Sequence, residues 1–299
     1  MTSPTPLFKY IPPARADIIE NQRISFSRIS ALNDPFEMRP YFADVARDDE
    51  AVHRIQVDDR ENVLHGIYEG MMAQHGARAL ISWPTFADFR VEASNLTALI
   101  DSLMEQNTLG ALTDFRADMA ATRSHHADKI DQVGGVLSLT SRPLNLLMWA
   151  HYAQSHQGFV IEFDPSHAMF VDARQRPVGF DHLGPVVYSQ GRPRYDYLSD
   201  VNMVDLFFHK SIEWKYEKEW RMVRRLQEAD EVKPNGAHLF AIPPSAIKSI
   251  IFGCQMGATE KTRLQTALGS VADFAHVHVQ QAVAEEETFA LRLEPVTSP

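Results

Sequence analysis

Two glutamates, Glu217 and Glu219, stand close together in the segment KSIEWKYEKEWR, which runs from Lys210 to Arg221. Side chains two positions apart in an extended chain point to the same face, so both carboxylates and Arg221 are predicted to share one side of a strand. Two carboxylates at close range disfavour each other's ionisation, which suits a site where one of them takes a proton or faces a developing cation. The alternative is a solvated edge strand, but the large aromatic residues between the charges favour burial of the opposite face.

A second group of polar and aromatic residues lies in MWAHYAQSHQG, where it comprises Trp149, His151, Tyr152 and His156. On a helix, Tyr152 and His156 share a face and would project into a cleft. His151 and His156 are five apart, which does not suit a two-histidine zinc pair. The alternative is that these histidines are hydrogen-bonded packing residues within an aromatic cluster.

Asn33, Asp34 and Glu37 form a third polar group directly after a predicted strand. An Asn-Asp-Pro sequence is by itself explained as a capped turn. The functional interpretation places this turn at the mouth of the same cleft. Carboxylates of Asp34 and Glu37 are ligands that Mg²⁺ accepts, but a metal nuclease usually shows more acidic residues at fixed spacing, so we predict no metal site.

Composition limits the classes of function. The chain has 299 residues, a formal net charge of -10 and a single cysteine. The negative charge argues against broad electrostatic binding of nucleic acid. The lone Cys254 excludes an internal disulfide and agrees with a reducing compartment. With no apolar run long enough to span a bilayer and no secretory signal, the expected location is the cytoplasm.

The hydrophobic pattern predicts a mixed α+β fold. Strand-like segments such as LFKYI, GGVLSLTS, GFVIEFD and EKEWRMVRRL alternate with helical ones, among them LNLLMWAHYAQSHQ and DLFFHKSIEW. Residues 48–132 have apolar residues at helical intervals, as in VLHGIYEGMM and LTALIDSLM, and are predicted to form a helical insertion or lid. Residues 1–47 and 133–299 would then build the core. The insertion is a candidate surface for a homo-oligomer or for a partner protein.

Several segments together resemble the bacterial domain of unknown function 2971 family. They are FKY, ISFSRISALNDPFE, VLSLTSRPLNLLMWAHYAQSHQGFVIEFD, PVVYS, KSIEWKYEKEWR and IPPSAIKSIIFG. The order of elements is also similar to that of ADP-ribosyltransferases, a fold-level analogy that implies an antiparallel or mixed sheet core and NAD as substrate.

The second resemblance implies roles for individual residues around NAD. Tyr10 would take the place of the first-strand residue, where many such enzymes carry Arg or His. Ser138 and Thr140, or Tyr152, would supply the middle element. Glu219 would be the catalytic glutamate that faces the oxocarbenium-like ribose.

Further residues would complete such a site. Glu217 would orient the acceptor, and Trp149 would stack with Tyr152 on nicotinamide or adenine. Arg221 would approach the pyrophosphate, while Lys210 would neutralise a glutamate or position a phosphate.

Three functions follow from the sequence as hypotheses. The first is ADP-ribosyl transfer from NAD by a toxin or defence-type effector, with a protein or nucleic acid as acceptor. The second is a non-catalytic nucleotide or nucleic-acid binding module. The third is a metal-dependent nuclease built on Asp34, Glu37 and the two later glutamates. No phosphate loop and no GxSxG motif is present.

Overall fold

The computed structural model describes residues 5–37, 41–42, 60–62, 64–66, 68–74, 85–93, 131–195 and 203–296. The chain divides into two compact units. The first consists of Met1–Pro40, Ala127–Pro193 and Asn202–Pro299, and the second of Tyr41–His126 and Arg194–Val201. The boundaries predicted at residues 47 and 132 stay a prediction.

An eight-stranded sheet forms the centre of the first unit. Its strands are β1 (Leu7–Ile11), β4 (Gly134–Thr140), β5 (Phe159–Phe163), β6 (Leu183–Pro185), β10 (Glu219–Arg225), β13 (Ile247–Phe252), β14 (His278–Ala284) and β15 (Leu291–Pro295). Their order across the sheet is β15-β14-β13-β5-β1-β4-β10-β6. All pairs are antiparallel except β13 with β14. The prediction of an α+β fold with a mixed, mostly antiparallel sheet is thus confirmed.

Smaller sheets complete the strand inventory of the described residues. In the first unit, β2 (Arg23–Phe26), β11 (Glu231–Val232) and β12 (His238–Ala241) form one sheet, and β7 (Val187–Ser189) pairs in parallel with β9 (His209–Ser211). In the second unit, β3 (Tyr41–Phe42) pairs with β8 (Arg194–Tyr195).

The helices of the first unit cover the sheet. They are α1 (Asp17–Asn21), α3 (Leu146–Tyr152), α4 (Ala168–Gln175) and α5 (Ala258–Ser270). The second unit contains α2 (Phe86–Ala93) and helical residues at 60–62, 64–66 and 68–74. The helix predicted for VLHGIYEGMM is therefore confirmed where that segment is described, whereas LTALIDSLM lies outside the described residues. None of the described helices is long and apolar enough to cross a membrane.

Both faces of the central strand β1 are buried. Leu7 and Ile11 pack in the main hydrophobic cluster, while Phe8 and Tyr10 pack in a second cluster with Trp149. Alternate side chains of a strand point to opposite faces, so these clusters lie on the two sides of the sheet. Burial on both faces of the sheet fixes the register of β1, because a shift by one residue would move Leu7 and Ile11 to the face of Phe8 and Tyr10 and the reverse.

Asn145 caps the start of helix α3. Its side-chain oxygen Oδ1 accepts hydrogen bonds from the backbone N–H groups of Leu147 and Met148. Leu146 and Leu147 are exposed, and the buried residues of the helix are Met148 and Trp149. The helix is shorter than predicted, because three consecutive residues, 154–156, adopt left-handed φ values.

The helix predicted for DLFFHKSIEW is wrong. Residues 203–208 form a 3-10 segment, β9 follows, and a second 3-10 segment covers Ile212–Glu217. This short strand between two tight turns places Lys210 inside the protein, where its side chain is 3% exposed.

Candidate functional site

A cavity opens in the main sheet where β1 and β4 separate. The two strands pair at one position, Phe8 opposite Thr140, whereas β1 continues to pair with β5 and β4 with β10. A cavity of about 220 Å³ has residues of both strands in its walls. Strands that diverge leave backbone groups without ladder partners, and these groups must bind something else. The polar residues of the wall are Lys9, Tyr10, Ser27, Asn33, Glu37, Ser138, Thr140, Tyr152, Lys210, Glu217, Glu219 and Arg221.

Glu217 and Glu219 reach this cavity from two different local structures. Glu217 ends the 3-10 segment, Lys218 has a left-handed φ of 46°, and β10 begins at Glu219. The prediction of one strand that carries both acids is therefore wrong at Glu217. The carboxylates still converge, because Lys210 Nζ lies 2.7 Å from Glu217 Oε2 and 3.1 Å from Glu219 Oε2.

Lys210 and Arg221 hold three buried carboxylates together. Besides its contacts with Glu217 and Glu219, Lys210 Nζ lies 3.2 Å from Glu37 Oε1. The same oxygen of Glu37 accepts a hydrogen bond from Arg221 Nη2 at 2.5 Å. All five residues are buried, with at most 7% of any of them exposed. We refer to these five side chains as the charge cluster.

Arg221 is fully engaged inside the charge cluster. Its Nε donates to Glu219 Oε1 at 2.8 Å and its Nη2 donates to Glu219 Oε2 at 3.0 Å. Its Nη1 donates to the backbone oxygen of Phe207 at 2.7 Å, and only 1% of the residue is exposed. The resemblance to ADP-ribosyltransferases implied that Arg221 approaches a pyrophosphate, and this expectation is corrected here. The guanidinium instead positions Glu219.

Glu217 and Glu219 have opposite pKa shifts inside the charge cluster. Burial alone would raise the pKa of Glu219, but the Arg221 guanidinium and the Lys210 ammonium outweigh it and lower this pKa to about 2. Burial raises the pKa of Glu217, with Lys210 opposing and Glu219 adding to the effect. Of these two neighbouring acids, Glu217 is therefore the one whose neutral form the surroundings favour, while Glu219 is held ionised.

Tyr152 connects Glu217 to the surface side of the cavity. The Tyr152 hydroxyl donates to Glu217 Oε1 at 2.5 Å and accepts a hydrogen bond from Asn33 Nδ2 at 2.8 Å. Burial, together with the negative charge of Glu217, raises the pKa of Tyr152, so the phenol stays protonated as a donor. Asn33, Tyr152 and Glu217 thus form one continuous chain of hydrogen bonds.

The residues expected around a substrate on β1 and β4 do line the cavity. Tyr10 is nearly buried and donates from its hydroxyl to the backbone oxygen of Arg142 at 2.7 Å. The Thr140 hydroxyl donates to the backbone oxygen of Glu217 and so ties the 3-10 segment to β4. Ser138 lines the same wall, opposite Arg221 in the ladder of β4 with β10.

Trp149, His151 and His156 are not among the residues that line the cavity. Trp149 is fully buried, donates from Nε1 to the backbone oxygen of Pro143 and packs edge-on against Tyr10, so the prediction that it stacks on a bound ring is wrong. His156 lies parallel to Trp149 at 6.1 Å as a packing residue. His151 is exposed, and neither histidine is among the residues that line the cavity.

Asp34 and Glu37 lie beside a second cavity, of about 230 Å³, which shares Glu37 and Lys210 with the first. Asp34 Oδ1 accepts a hydrogen bond from the backbone N–H of Phe36, as a capped turn requires. Within the described ranges no group of three or more acidic, histidine or cysteine side chains is arranged to hold a metal ion. The position between the carboxylates is taken by the Lys210 ammonium.

Lys9 is a site residue that sequence reasoning missed. It lies on β1, lines the cavity and donates from Nζ to the backbone oxygen of Ser138 at 2.8 Å. An isolated lysine in an otherwise apolar strand, LFKYI, is the pattern that could have revealed it, since a charge between buried neighbours needs a polar partner.

Comparison with known proteins gives one finding. The model of a family described as protein of unknown function (DUF2971) matches residues 148–222. The matched segment carries Tyr152, Lys210, Glu217, Glu219 and Arg221, which are most of the charge cluster and its tyrosine. No curated protein and no solved structure showed a significant match.

Proposed function

We propose that this protein transfers ADP-ribose from NAD and that Glu217 is the carboxylate at the reacting centre. The observation that supports the proposal most directly is the pairing of two adjacent acids in one cavity, one held ionised by Arg221 and one with a raised pKa. A carboxylate beside the anomeric carbon favours cleavage of a glycosidic bond, because it stabilises the positive charge that develops there.

The chemistry uses the substrate's own leaving group. The bond between the ribose carbon and the nicotinamide nitrogen breaks, the electron pair neutralises the pyridinium ring, and positive charge develops on the ribose. Glu217 would face that charge, with Tyr152 and Lys210 fixing the direction of its two oxygens. The transition state is stabilised more than the substrate because the charge exists only there.

This assignment exchanges the roles that the resemblance implied for the two acids. Both oxygens of Glu219 are bound to Arg221, and one also to Lys210, so Glu219 is a positioning residue. Glu217 has one oxygen bound to a neutral phenol. A ribose hydroxyl that displaced this phenol would exchange one neutral hydrogen bond for another, whereas access to Glu219 would break an ion pair.

The size of the cavity limits which part of NAD is enclosed. Sites that enclose a whole drug-sized ligand measure roughly 300–1,000 Å³, and the cavity between β1 and β4 measures about 220 Å³. The cavity would therefore take the nicotinamide and its ribose, and the rest of the dinucleotide would extend outward past Asn33 and Tyr152.

The release of nicotinamide tests the proposal. Wild-type protein incubated with NAD should release nicotinamide, and Glu217→Gln should lower the rate by about 10²- to 10³-fold while the protein still binds NAD. Glu287→Gln, a change of the same chemistry at an exposed residue, should keep the wild-type rate. The proposal fails if the wild-type protein releases no nicotinamide, or if Glu217→Gln is fully active.

Two further assays address the alternatives. Stabilisation of the fold by a nucleotide without turnover would favour the non-catalytic binding module. Activity on nucleic acid that is lost with a chelator would favour the nuclease. The charge cluster gives the nuclease no support, because its carboxylates are already bound to Lys210 and Arg221. The role as a toxin or defence effector stays a prediction.

A further inference from the structure

Lys9 differs from the cations of the charge cluster because, within the described part of the chain, no carboxylate lies within ion-pair distance of it. Its Nζ donates one hydrogen bond, to the backbone oxygen of Ser138. Among the residues that the structure describes, the ion pairs around the cavity involve Lys210 and Arg221 and leave Lys9 out. An ammonium group has three N–H donors, so most of its hydrogen-bonding capacity is left to the cavity.

The separation of β1 from β4 explains why the amine is there. Ser138 lies past the single pair between the two strands, so its carbonyl oxygen is not used by β1 in a ladder. Lys9 supplies the missing donor with its side chain. The amine is therefore held at one place in the wall of the cavity that Glu217 and Glu219 also line.

The surroundings of Lys9 raise the fraction of its neutral form compared with an exposed lysine. Burial lowers the pKa of Lys9 to about 8, with Glu219 and Glu217 opposing the effect and Lys210 and Arg15 adding to it. About a tenth of the molecules then carry a neutral amine at pH 7, against a negligible fraction for an exposed lysine. A general base is most effective when its pKa lies near the working pH.

We propose that Lys9 is the general base of the transfer, the group that takes the proton of the acceptor as it attacks the ribose carbon. This inference rests on the proposed function. The acceptor's lone pair forms the new bond to the ribose carbon, and the bond to nicotinamide breaks with its electron pair staying on the nicotinamide nitrogen. The acceptor's proton passes to Lys9 Nζ, and the resulting ammonium later loses it to water.

The charge of Lys9 also fits the order of events. A neutral amine adds no repulsion to the developing ribose cation, and it becomes charged as it takes the proton of the acceptor. Glu217 and Lys9 would thus act on opposite partners, Glu217 on the ribosyl donor and Lys9 on the acceptor.

Two measurements test this assignment, with water as the acceptor. Nicotinamide release by the wild-type protein should rise with pH to a plateau above about pH 8. Lys9→Met should lower the rate by about 10²-fold and abolish the rise, and a small primary amine in the buffer should restore part of it. Lys248→Met, which removes an exposed lysine paired with Glu162 outside the cavity, should keep the wild-type profile.

The second measurement does not need turnover. Brief acetylation with acetic anhydride at a series of pH values, followed by mass spectrometry, gives the midpoint of reactivity of each lysine in the wild-type protein. We expect a midpoint near 8 for Lys9 and a clearly higher midpoint for Lys248, whose pKa is raised by its bond to Glu162.

The outcomes separate the two proposals. A wild-type protein that turns over NAD while Lys9→Met keeps its rate and pH profile overturns the assignment of Lys9 alone, and so does an acetylation midpoint of Lys9 above 10. A wild-type protein that releases no nicotinamide at any pH overturns the proposed function, and the assignment of Lys9 with it.

Discussion

Lys210 is the residue on which the charge cluster depends. It is the one side chain within ion-pair distance of Glu37, Glu217 and Glu219 together, as far as the structure describes the chain. These three negative charges are buried, and burial of a charge costs several kcal/mol unless a partner compensates for it. Removal of Lys210 therefore affects three groups at once.

Lys210→Met should lower the free energy of unfolding by about 3–5 kcal/mol, because it leaves three buried carboxylates with a single guanidinium. Lys248→Met changes the same residue type at an exposed ion pair and should cost less than about 1 kcal/mol. Urea unfolding of the two variants and the wild-type protein measures both values. Equal losses would show that the cluster contributes nothing beyond a surface pair.

Glu219 should control how the protein responds to acid. Its pKa is about 2 in the folded protein and about 4.3 in an unfolded chain. A carboxyl group whose pKa is lowered by folding stabilises the fold above its unfolded pKa, and that stability is lost as the pH falls toward the folded pKa.

Glu219→Gln should therefore be less stable than the wild-type protein by about 2–3 kcal/mol above pH 5, and the difference should shrink between pH 5 and pH 2. Unfolding in urea at a series of pH values measures it. Glu287→Gln, at an exposed position, should follow the wild-type curve throughout. A constant difference between Glu219→Gln and the wild type would mean that Glu219 is not ionised in the fold.

At the scale of elements, the position of β1 depends on a close backbone contact. A Cβ atom at Gly158 would overlap with the backbone oxygen of Ile11, the last residue of β1, and also press on Pro12. Both obstacles are backbone atoms, so neither can turn aside as a flexible side chain would. Gly158 thus allows the start of β5 to approach the strand that carries Lys9 and Tyr10.

Gly158→Ala should lower the free energy of unfolding by about 2–4 kcal/mol and reduce nicotinamide release, because β1 must shift to relieve the overlap. Gly269→Ala is the matched control: it lies exposed in α5 with no atom near a new Cβ, and should stabilise the helix by about 0.5 kcal/mol. Thermal unfolding and the NAD assay measure both variants. A Gly158→Ala protein as stable as Gly269→Ala would contradict this account of β1.

Most strands can be predicted from the sequence because their apolar residues are continuous or alternate, as in β1, β4 and β5. The structure of the segment around Lys210 cannot be predicted in this way, because a 3-10 turn and an α-helix have similar spacing of apolar residues over six positions. The direction of Glu217 depends on the left-handed Lys218, which no local pattern marks as such. The sequence thus predicts that the carboxylates of Glu217 and Glu219 lie close together, but it does not predict which side chain pairs with each of them.

At the scale of the whole molecule, the site combines residues that lie far apart in the sequence. Glu37 and Arg221 are 184 positions apart and yet share a hydrogen bond, and Lys9 and Ser138 are 129 apart. Sequence spacing gives no information about such contacts, which arise only when the chain is folded. For the same reason the exclusion of Trp149 from the cavity follows from packing and not from its residue type.

The overall charge predicts weak binding of nucleic acid. The chain has a formal net charge of -10, and the two cations of the charge cluster are buried and paired. Non-specific binding of DNA depends on accessible cations near phosphates. A fluorescent 20-base-pair duplex should therefore show no binding at about 10 µM protein and 150 mM salt. Micromolar binding with a steep loss at higher salt would favour the binding module over the enzyme.

Because β1 and β4 pair at a single position, the main sheet consists of two blocks of strands that are joined by one residue pair. On one side β1 belongs to a block of five strands with β5, β13, β14 and β15, and on the other β4 belongs to a block of three with β10 and β6. Each block has its own ladder of hydrogen bonds, whereas the contacts between the two strands at the gap include the pair of Phe8 with Thr140 and the hydrogen bond from Lys9 to Ser138. A bound molecule that contacts both blocks would restrict the movement of one block relative to the other. Its binding would then affect all strands of the sheet.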